Sequence, residues 1–189
     1  MSMTVTRRKD TKTPRVITHR VADIRGGVSI KTSELGGDFL NEASVLSVPE
    51  NGICHVIKIA VLAAALTASA KTIKVKKNHH FKAGDFIMAG VGGLASTITA
   101  IDETETAYDT LTVDQALGAF AAGTKLVQAA AKSTGTDSAL KYTPLAISGT
   151  GKSVDPKSNM DMDAWIIAVT KDNPLPDCVA SALKGIFNY

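Results

Sequence analysis

Hydrophobic and polar residues alternate with a period of two over much of the chain, which is the pattern of half-buried β-strands. The clearest alternation lies in residues 71–128, where a short motif occurs twice. The first copy joins Thr72–Val75 to 81–88, and the second joins 110–113 to 120–127. Both copies consist of Thr, an aliphatic residue, any residue and Val, then a spacer, then Phe-x-Ala-Gly-x-x and two aliphatic residues. The spacing predicts a tandem β repeat unit with a period of about 38 residues.

Glycine is expected to form a turn in each copy. Gly84 and Gly123 follow an Ala in the Phe-x-Ala-Gly motif, and glycine readily takes the positive φ that a tight turn requires. Residues 96–101 between the copies also alternate and predict a further strand. We therefore expect a mainly β fold, a small β-barrel or sandwich built around an internal β duplication. The alternative is a chance resemblance between two short β segments.

Several strands are expected outside the repeat. Residues 43–48 alternate and stop at Pro49, and the Asn51-Gly52 pair after them is a strong hairpin signal before a returning strand at 53–61. Pro144 predicts an edge strand at 140–147, because proline cannot donate a backbone hydrogen bond. Residues 164–170 form the most hydrophobic run and predict a central strand, with Trp165 in the core.

The chain is expected to end in a short helix and a docked terminus. Asp177 can cap a helix at 178–184, and Gly185 can terminate it. Phe187 and Tyr189 give the last three residues two aromatic side chains, which is unusual for a fraying end. These side chains are expected to lie against the protein's own body or against a neighbour.

Charge divides the chain into residues 1–20 and 21–189. The first segment carries six basic residues and Asp10, a net charge of +5, so with +3 for the whole chain the remainder carries −2. Segment 1–20 has little hydrophobic periodicity and predicts a flexible basic arm before a single β-rich body. The longest apolar run, at 59–66, is too short to span a bilayer, and no signal peptide is recognised. The pairing of Cys54 and Cys178 stays open.

The basic arm has two interpretations. It can be a solvated tail, or it can order on an acidic protein partner. A basic arm can also neutralise phosphates, but this arm has no interleaved aromatic residues and the body contains no recognised nucleic-acid module. The sequence therefore does not favour nucleic acid as a partner.

Possible phosphate and metal motifs are incomplete. Gly149-Thr150-Gly151-Lys152-Ser153 resembles the end of a P-loop, but Ala146 occupies the position of the first glycine and Pro156 opposes the required helix. His79 and His80 near Asp85 could suggest a metal site, but adjacent residues of a strand point to opposite faces. We expect a turn in a polar loop for the first motif, and surface residues leading into a turn for the two histidines.

Catalytic arrangements are also weak. Cys54 and His55 are neighbours in a predicted strand, which separates their side chains. Asp102, Glu103 and Glu105 form an acidic cluster without a glycine-containing ligand loop, and we interpret them as a solvated turn. The sequence therefore predicts no catalytic residue, no cofactor and no metal site.

Four segments together resemble a family of phage proteins. They are VADIRGGVSI at 21–30, the Ala-Gly-Asp turn after His80-Phe81, the TLTVD copy at 110–114 and the ending DAWIIAVTKDNPLPDCVASALKGIFNY. The chain from about residue 16 is similar to head fibre or capsid decoration proteins of tailed phages and prophages of Bacteroides-type bacteria. The resemblance implies a non-enzymatic virion protein on the capsid surface, made in the bacterial host cytoplasm, that forms a trimer or another small oligomer.

The resemblance supplies no residue-by-residue contact map, so the contact residues are our own hypothesis. We expect the major capsid protein to be the partner. The contact residues are then basic residues of the arm and aromatic residues of the C-terminus: Arg7, Arg8, Lys9, Lys12, Arg15, Phe187 and Tyr189. Two other functions stay open. They are an adhesin-like module that binds a host or cell surface and, with less support, a small hydrolase with a dispersed site.

Overall fold

The computed structural model describes residues 15–189. The strands are β1 (Ile17–Asp23), β2 (Val28–Ile30), β3 (Phe39–Leu40), β4 (Val45–Ser47), β5 (Ile53–Cys54), β6 (Ile59–Val61), β7 (Thr72–Val75), β8 (Phe86–Met88), β9 (Ala95–Asp102), β10 (Asp109–Val113), β11 (Lys125–Ala129), β12 (Pro144–Ser148), β13 (Lys152–Ser153), β14 (Met160–Met162), β15 (Ala164–Thr170) and β16 (Ile186–Asn188). A 3-10 turn covers Thr32–Glu34 and helix α1 covers Asp177–Ala180. The predicted mainly β class is confirmed.

The strands form four sheets. A six-stranded sheet has the order β6-β11-β8-β9-β10-β7, and a five-stranded sheet has the order β1-β15-β12-β4 with β16 also paired to β15. Two small sheets are β14-β2-β5 and β13-β3. The outer strands of the six-stranded sheet meet at one bridge between Leu62 and Val75. The sheet is thus curled, but no closed barrel occurs within residues 15–189.

The two copies of the repeat have the predicted strand and turn geometry. Ile73 and Val75 in β7 are fully buried while their neighbours in the strand are exposed, and β10 buries Leu111 and Val113. Their turns contain Gly84 with φ +93° and Gly123 with φ +86°. The alternation and the positive φ values are both confirmed.

The two copies are related by a local two-fold arrangement of backbone pairs. Ile73 pairs with Leu111 in the antiparallel β7–β10 ladder, and these two residues hold the same place in the two copies. Met88 pairs with Val127 in the β8–β11 ladder, and they too hold the same place. Pairs of equivalent residues facing each other across antiparallel ladders are what a two-fold axis produces.

The two-fold relation between the copies also includes residues that precede residue 71. The N–H of Gly84 donates to the carbonyl of Ile98 at 2.7 Å, and the N–H of Gly123 donates to that of Leu62 at 2.9 Å. Strands β6 and β9 therefore hold equivalent places, so each unit contains three strands, β6–β8 and β9–β11. The duplication as an ancestral event stays a prediction.

The buried apolar residues explain how the sheets pack. One cluster fills the concave side of the six-stranded sheet, with Phe81 among its largest fully buried side chains. Another cluster contains Val45 and Ile147 of the five-stranded sheet together with Val127 of the six-stranded sheet. This second cluster joins the two large sheets.

The start of the ordered body differs from the predicted boundary at residue 20. Strand β1 begins at Ile17, and Ile17 pairs with Thr170 of β15. The N–H groups of Val16 and Ile17 also donate to the carboxylate of Glu42, at 3.4 and 3.3 Å. The arm prediction is wrong for residues 17–20, because these backbone pairings hold them on the sheet. Residues 1–14 lie outside the described part.

Three further predictions near prolines and glycines have clear outcomes. Asn51 and Gly52 have φ values of 51° and 81° between the paired residues Glu50 and Ile53, so the hairpin is confirmed. Pro144 begins a strand that pairs on both sides, so the edge prediction is wrong; the first position of a strand tolerates the missing donor. The helix ends at Ala180 rather than continuing to residue 184, and its N-cap is Pro176 without a side-chain hydrogen bond.

Candidate interaction surface

The C-terminal residues are fixed to the body by their backbone. Strand β16 lies parallel to β15, with Phe187 beside Val169. The N–H of Tyr189 donates to the carbonyl of Thr170 at 3.1 Å, and the N–H of Asp172 donates to the carbonyl of Tyr189 at 3.1 Å. The expected docked terminus therefore lies on the protein's own body.

A glycine allows this close approach of the terminal strand. A Cβ at Gly185 would lie 2.3 Å from the backbone carbonyl oxygen of Ile166, well inside van der Waals contact. Just before it in the chain, Val179 and Leu183 bury their side chains in the cluster that joins the two large sheets. The segment before β16 is thus held by its buried side chains, and the absence of a side chain at position 185 allows β16 to lie close to β15.

The side chains of the terminal strand and its neighbours leave apolar surface uncovered. Five of the eight exposed large hydrophobic residues lie on the three neighbouring strands β1, β15 and β16 or directly after them. We call this set the apolar surface; its members are Val21 (66% exposed), Ile166 (38%), Ile167 (39%), Phe187 (61%) and Tyr189 (64%). Concentrated apolar exposure of this kind marks interaction sites more often than isolated exposed residues do.

Arg15 lies at the same end of the five-stranded sheet as Tyr189. The N–H of Lys171, directly after β15, donates to the carbonyl of Val16 at 2.9 Å, while Tyr189 bonds Thr170 from the opposite side of β15. The structure thus brings together three of the hypothesised contact residues, Arg15, Phe187 and Tyr189, and all three are exposed. Arg7, Arg8, Lys9 and Lys12 lie outside the described residues.

The sequence did not single out Val21, Ile166 and Ile167 as surface residues. Strand β15 has partners on both sides, as predicted for a central strand, yet Ile166 and Ile167 are more than a third exposed. Trp165 is only half-buried rather than in the core, and the guanidinium of Arg20 lies 5.6 Å from its ring centroid. A hydrophobic run predicts burial, and which of its residues stay uncovered is visible only once the neighbouring strands are placed.

A partly buried polar network involves none of the residues of the apolar surface. Oε2 of Glu34 accepts a hydrogen bond from the hydroxyl of Tyr142 at 3.0 Å and lies 3.0 Å from Nδ1 of His55, which stacks on the Tyr142 ring. The ammonium of Lys58 donates to the carbonyl of Glu34 and to Oδ2 of Asp85, both at 2.6 Å. Every charged member has a partner, so the network links segments of the fold rather than offering a reactive group.

The pKa values in this network follow from burial and hydrogen bonding. Burial raises the pKa of Glu34, but hydrogen bonds from His55, Lys31 and Tyr142 outweigh it and hold that pKa at about 2. Burial lowers the pKa of Lys58, and Asp85 opposes this shift. Burial and the Glu34 carboxylate raise the pKa of Tyr142. Glu34 is thus an ionised acceptor at neutral pH and not a general acid.

His79 and His80 are buried, so the prediction that they are surface residues is wrong. They are 5% and 6% exposed. Nδ1 of His79 accepts the N–H of Phe81 at 3.0 Å, so in the neutral ring Nε2 carries the hydrogen and faces Oδ2 of Asp109 at 3.4 Å. His79 therefore has no free lone pair for base catalysis. Neither ring nitrogen of His80 has a hydrogen-bond partner in the described part of the chain.

The remaining sequence motifs carry no assembled chemistry. Lys152 and Ser153 form the short strand β13 rather than the start of a helix, which is incompatible with a P-loop. Asp102, Glu103 and Glu105 are exposed, as expected of a solvated turn. Cys54 is buried and Cys178 half-buried, and both are free thiols. Across residues 15–189, no group of three or more His, Cys, Asp or Glu side chains is placed to hold a metal ion.

The described residues include no helix with the length and apolar character to cross a membrane.

Comparison with known proteins finds no relative of this chain. No family model matches the chain, and neither a curated protein nor a solved structure matches it.

Proposed function

We propose that this chain is a non-enzymatic virion structural protein that binds the outside of a phage capsid as a decoration or head fibre protein. The observation that carries the proposal is the apolar surface, together with Arg15 at the same sheet end. A decoration protein needs an exposed attachment surface rather than a reaction centre. The sequence resemblance in four segments points to the same class of protein.

The chemistry of the surface fits a protein partner. Phe187 and Tyr189 supply large rigid side chains of the kind that dominate binding energy at interfaces. Arg15 supplies positive charge at the same end of the sheet, and four further basic residues precede it in the sequence: Arg7, Arg8, Lys9 and Lys12. The partner surface on the major capsid protein would then combine an apolar centre with acidic groups, which speeds encounter and fixes orientation.

Oligomerisation would strengthen this attachment. The apolar surface consists of five residues, so one such contact is small. In a homo-oligomer, with a trimer favoured, each further attachment becomes intramolecular and the avidity rises without new contacts. Light scattering at several concentrations tests this part: we expect a concentration-independent oligomer, and a monomer throughout would contradict it.

Capsid binding by variants tests the attachment itself. Removal of residues 1–14 and the double change Phe187→Ser with Tyr189→Ser should each reduce cosedimentation with emptied capsids by more than tenfold. Removal should stop at residue 14, because a longer deletion would take away β1. Val91→Ser is the matched control, since Val91 is 56% exposed outside the apolar surface. Full binding by both variants would refute the proposed attachment.

A further inference from the structure

A cavity lies between the two large sheets. Its volume is about 250 Å³. It is lined by β6 and residues 76–80 from the six-stranded side, and by residues 41–44 and Val45 from the five-stranded side. The cavity is smaller than the about 300–1,000 Å³ typical of sites for drug-sized molecules. It suits a small ligand.

The charged residues around this cavity are mostly basic. Its lining contains four lysines and only one carboxylate residue: Lys58, Lys76, Lys77, Lys125 and Glu42. Glu42 is already engaged by Arg20 at 3.5 Å and by the backbone of β1. It cannot neutralise the lysines as well.

Two of the four lysines have no carboxylate partner. Lys58 is paired with Asp85, and Lys77 is paired with Asp109. In the described chain, neither Lys76 nor Lys125 lies within 4.0 Å of a carboxylate oxygen. The cavity wall therefore carries unbalanced positive charge.

Lys125 is held in an unfavourable electrostatic environment. Burial lowers its pKa, and the positive charge of Lys76 lowers the pKa further. Its ammonium donates to the carbonyl of Pro174, which supplies a dipole but no negative charge. An anion between Lys76 and Lys125 would relieve their repulsion.

His80 provides an independent observation that points to a ligand. The residue lines the cavity, is 6% exposed, and leaves both ring nitrogens without a hydrogen-bond partner. Buried polar groups are nearly always hydrogen-bonded, and a neutral imidazole has one N–H to donate. The Nδ1 edge of the ring lies against Gly37, which lines a neighbouring cavity: a Cβ at Gly37 would be 3.1 Å from Nδ1 of His80.

A neighbouring cavity that shares His80 is less suited to an anion. Its volume is about 330 Å³, and it is lined by Asp38, Glu103 and Asp109 together with Lys77 and His79. Three carboxylates would repel a negative ligand. The charge balance therefore selects the first cavity.

We propose that the cavity between the two large sheets binds a small oxyanion, a phosphate or a carboxylate. Lys76 and Lys125 balance its charge, and His80 lines the same space. The site is separate from the apolar surface and does not depend on the proposed attachment to a capsid.

The test is calorimetric titration of the full chain with inorganic phosphate and, separately, with acetate at low ionic strength. We expect saturable binding with one site per chain. Lys76→Gln and Lys125→Gln should each weaken binding by about tenfold, the loss expected for one charge-assisted hydrogen bond. Phosphate binding alone would assign the phosphate class, and acetate binding alone the carboxylate class.

Lys74→Gln is the matched control for the loss of one positive charge. Lys74 lies two residues from Lys76 and is exposed like it, but Lys74 does not line the cavity, and its ammonium lies 4.7 Å from the ring centroid of Tyr108. It should change binding by less than about twofold. Absence of saturable binding to either anion would overturn the proposal, as would an equal loss in the Lys74→Gln variant.

Discussion

At the scale of single residues, the burial of His80 is expected to make the free energy of unfolding depend on pH. Burial lowers its pKa from 6.5 to about 4. Between these two values the unfolded chain binds more protons than the folded one, so stability falls as the pH drops through this range and levels off below it. At 1.36 kcal/mol per pKa unit, the loss reaches about 3 kcal/mol.

His80→Asn should remove the part of the stability loss at acid pH that comes from protonation of His80 in the unfolded chain. Asparagine tolerates the φ of 60° that His80 adopts, so the backbone is preserved. Urea unfolding at pH 7 and pH 4.5 measures the effect, and the variant should lose less stability between the two pH values than the parent. The pKa of His79 is also lowered by burial, so part of the dependence remains. An unchanged pH dependence would contradict the assignment.

The two histidines also mark a limit of sequence interpretation. Their position next to a predicted turn favours surface residues, whereas in the fold they are buried, with residues 36–38, Glu103 and Asp109 around them. These covering segments are distant in sequence and carry no pattern that points to residues 79 and 80. The Asn51-Gly52 hairpin, in contrast, was predictable because its cause is local: both residues accept positive φ.

At the scale of elements, the attachment of β16 depends on Gly185. Gly185→Ala should displace β16 from β15, because the added methyl group would meet the backbone carbonyl of Ile166 at 2.3 Å. Hydrogen exchange of the Phe187 and Tyr189 amides should become faster by at least about tenfold. Gly135→Ala is the control, since no atom lies within 4 Å of its added Cβ. Equal protection in both variants would show that β16 does not need this close approach.

Elements with a local pattern were predictable, and elements defined by their partners were not. The alternation in Thr72–Val75 and its second copy identifies β7 and β10. The sequence repeat does not include the first strands of the two units, because β6 has the sequence Ile-Ala-Val and β9 begins Ala-Ser-Thr. They share a place in the sheet without sharing residues. The internal position of β12 was missed for the same reason, since pairing on both sides is a long-range property.

At the scale of the whole molecule, Lys58 ties together distant segments. Its ammonium joins the 3-10 turn at Glu34 to the turn that contains Asp85. Lys58→Met should destabilise the protein by about 3–5 kcal/mol, because the change leaves the carboxylate of Asp85 without its buried partner. Chemical denaturation at neutral pH measures the loss.

Lys82→Met is the comparison variant for this effect. The Lys82 ammonium donates to the carbonyl of Ser33 at 2.8 Å in an exposed contact close to the same turn. We expect a loss of at most about 1 kcal/mol. Equal losses in the two variants would mean that the burial of Lys58 is not what makes its contacts important.

The six-stranded sheet has a consequence for how such a protein can be built. Its two three-strand units meet through ladders in which Ile73 faces Leu111 and Met88 faces Val127, each residue opposite its own equivalent. This is the arrangement of an isologous dimer, in which one surface binds a copy of itself. A gene that encoded only one unit could therefore assemble the same sheet from two chains. In the single chain, the segment between Met88 and Ala95 connects the two units covalently, so their pairing does not depend on protein concentration.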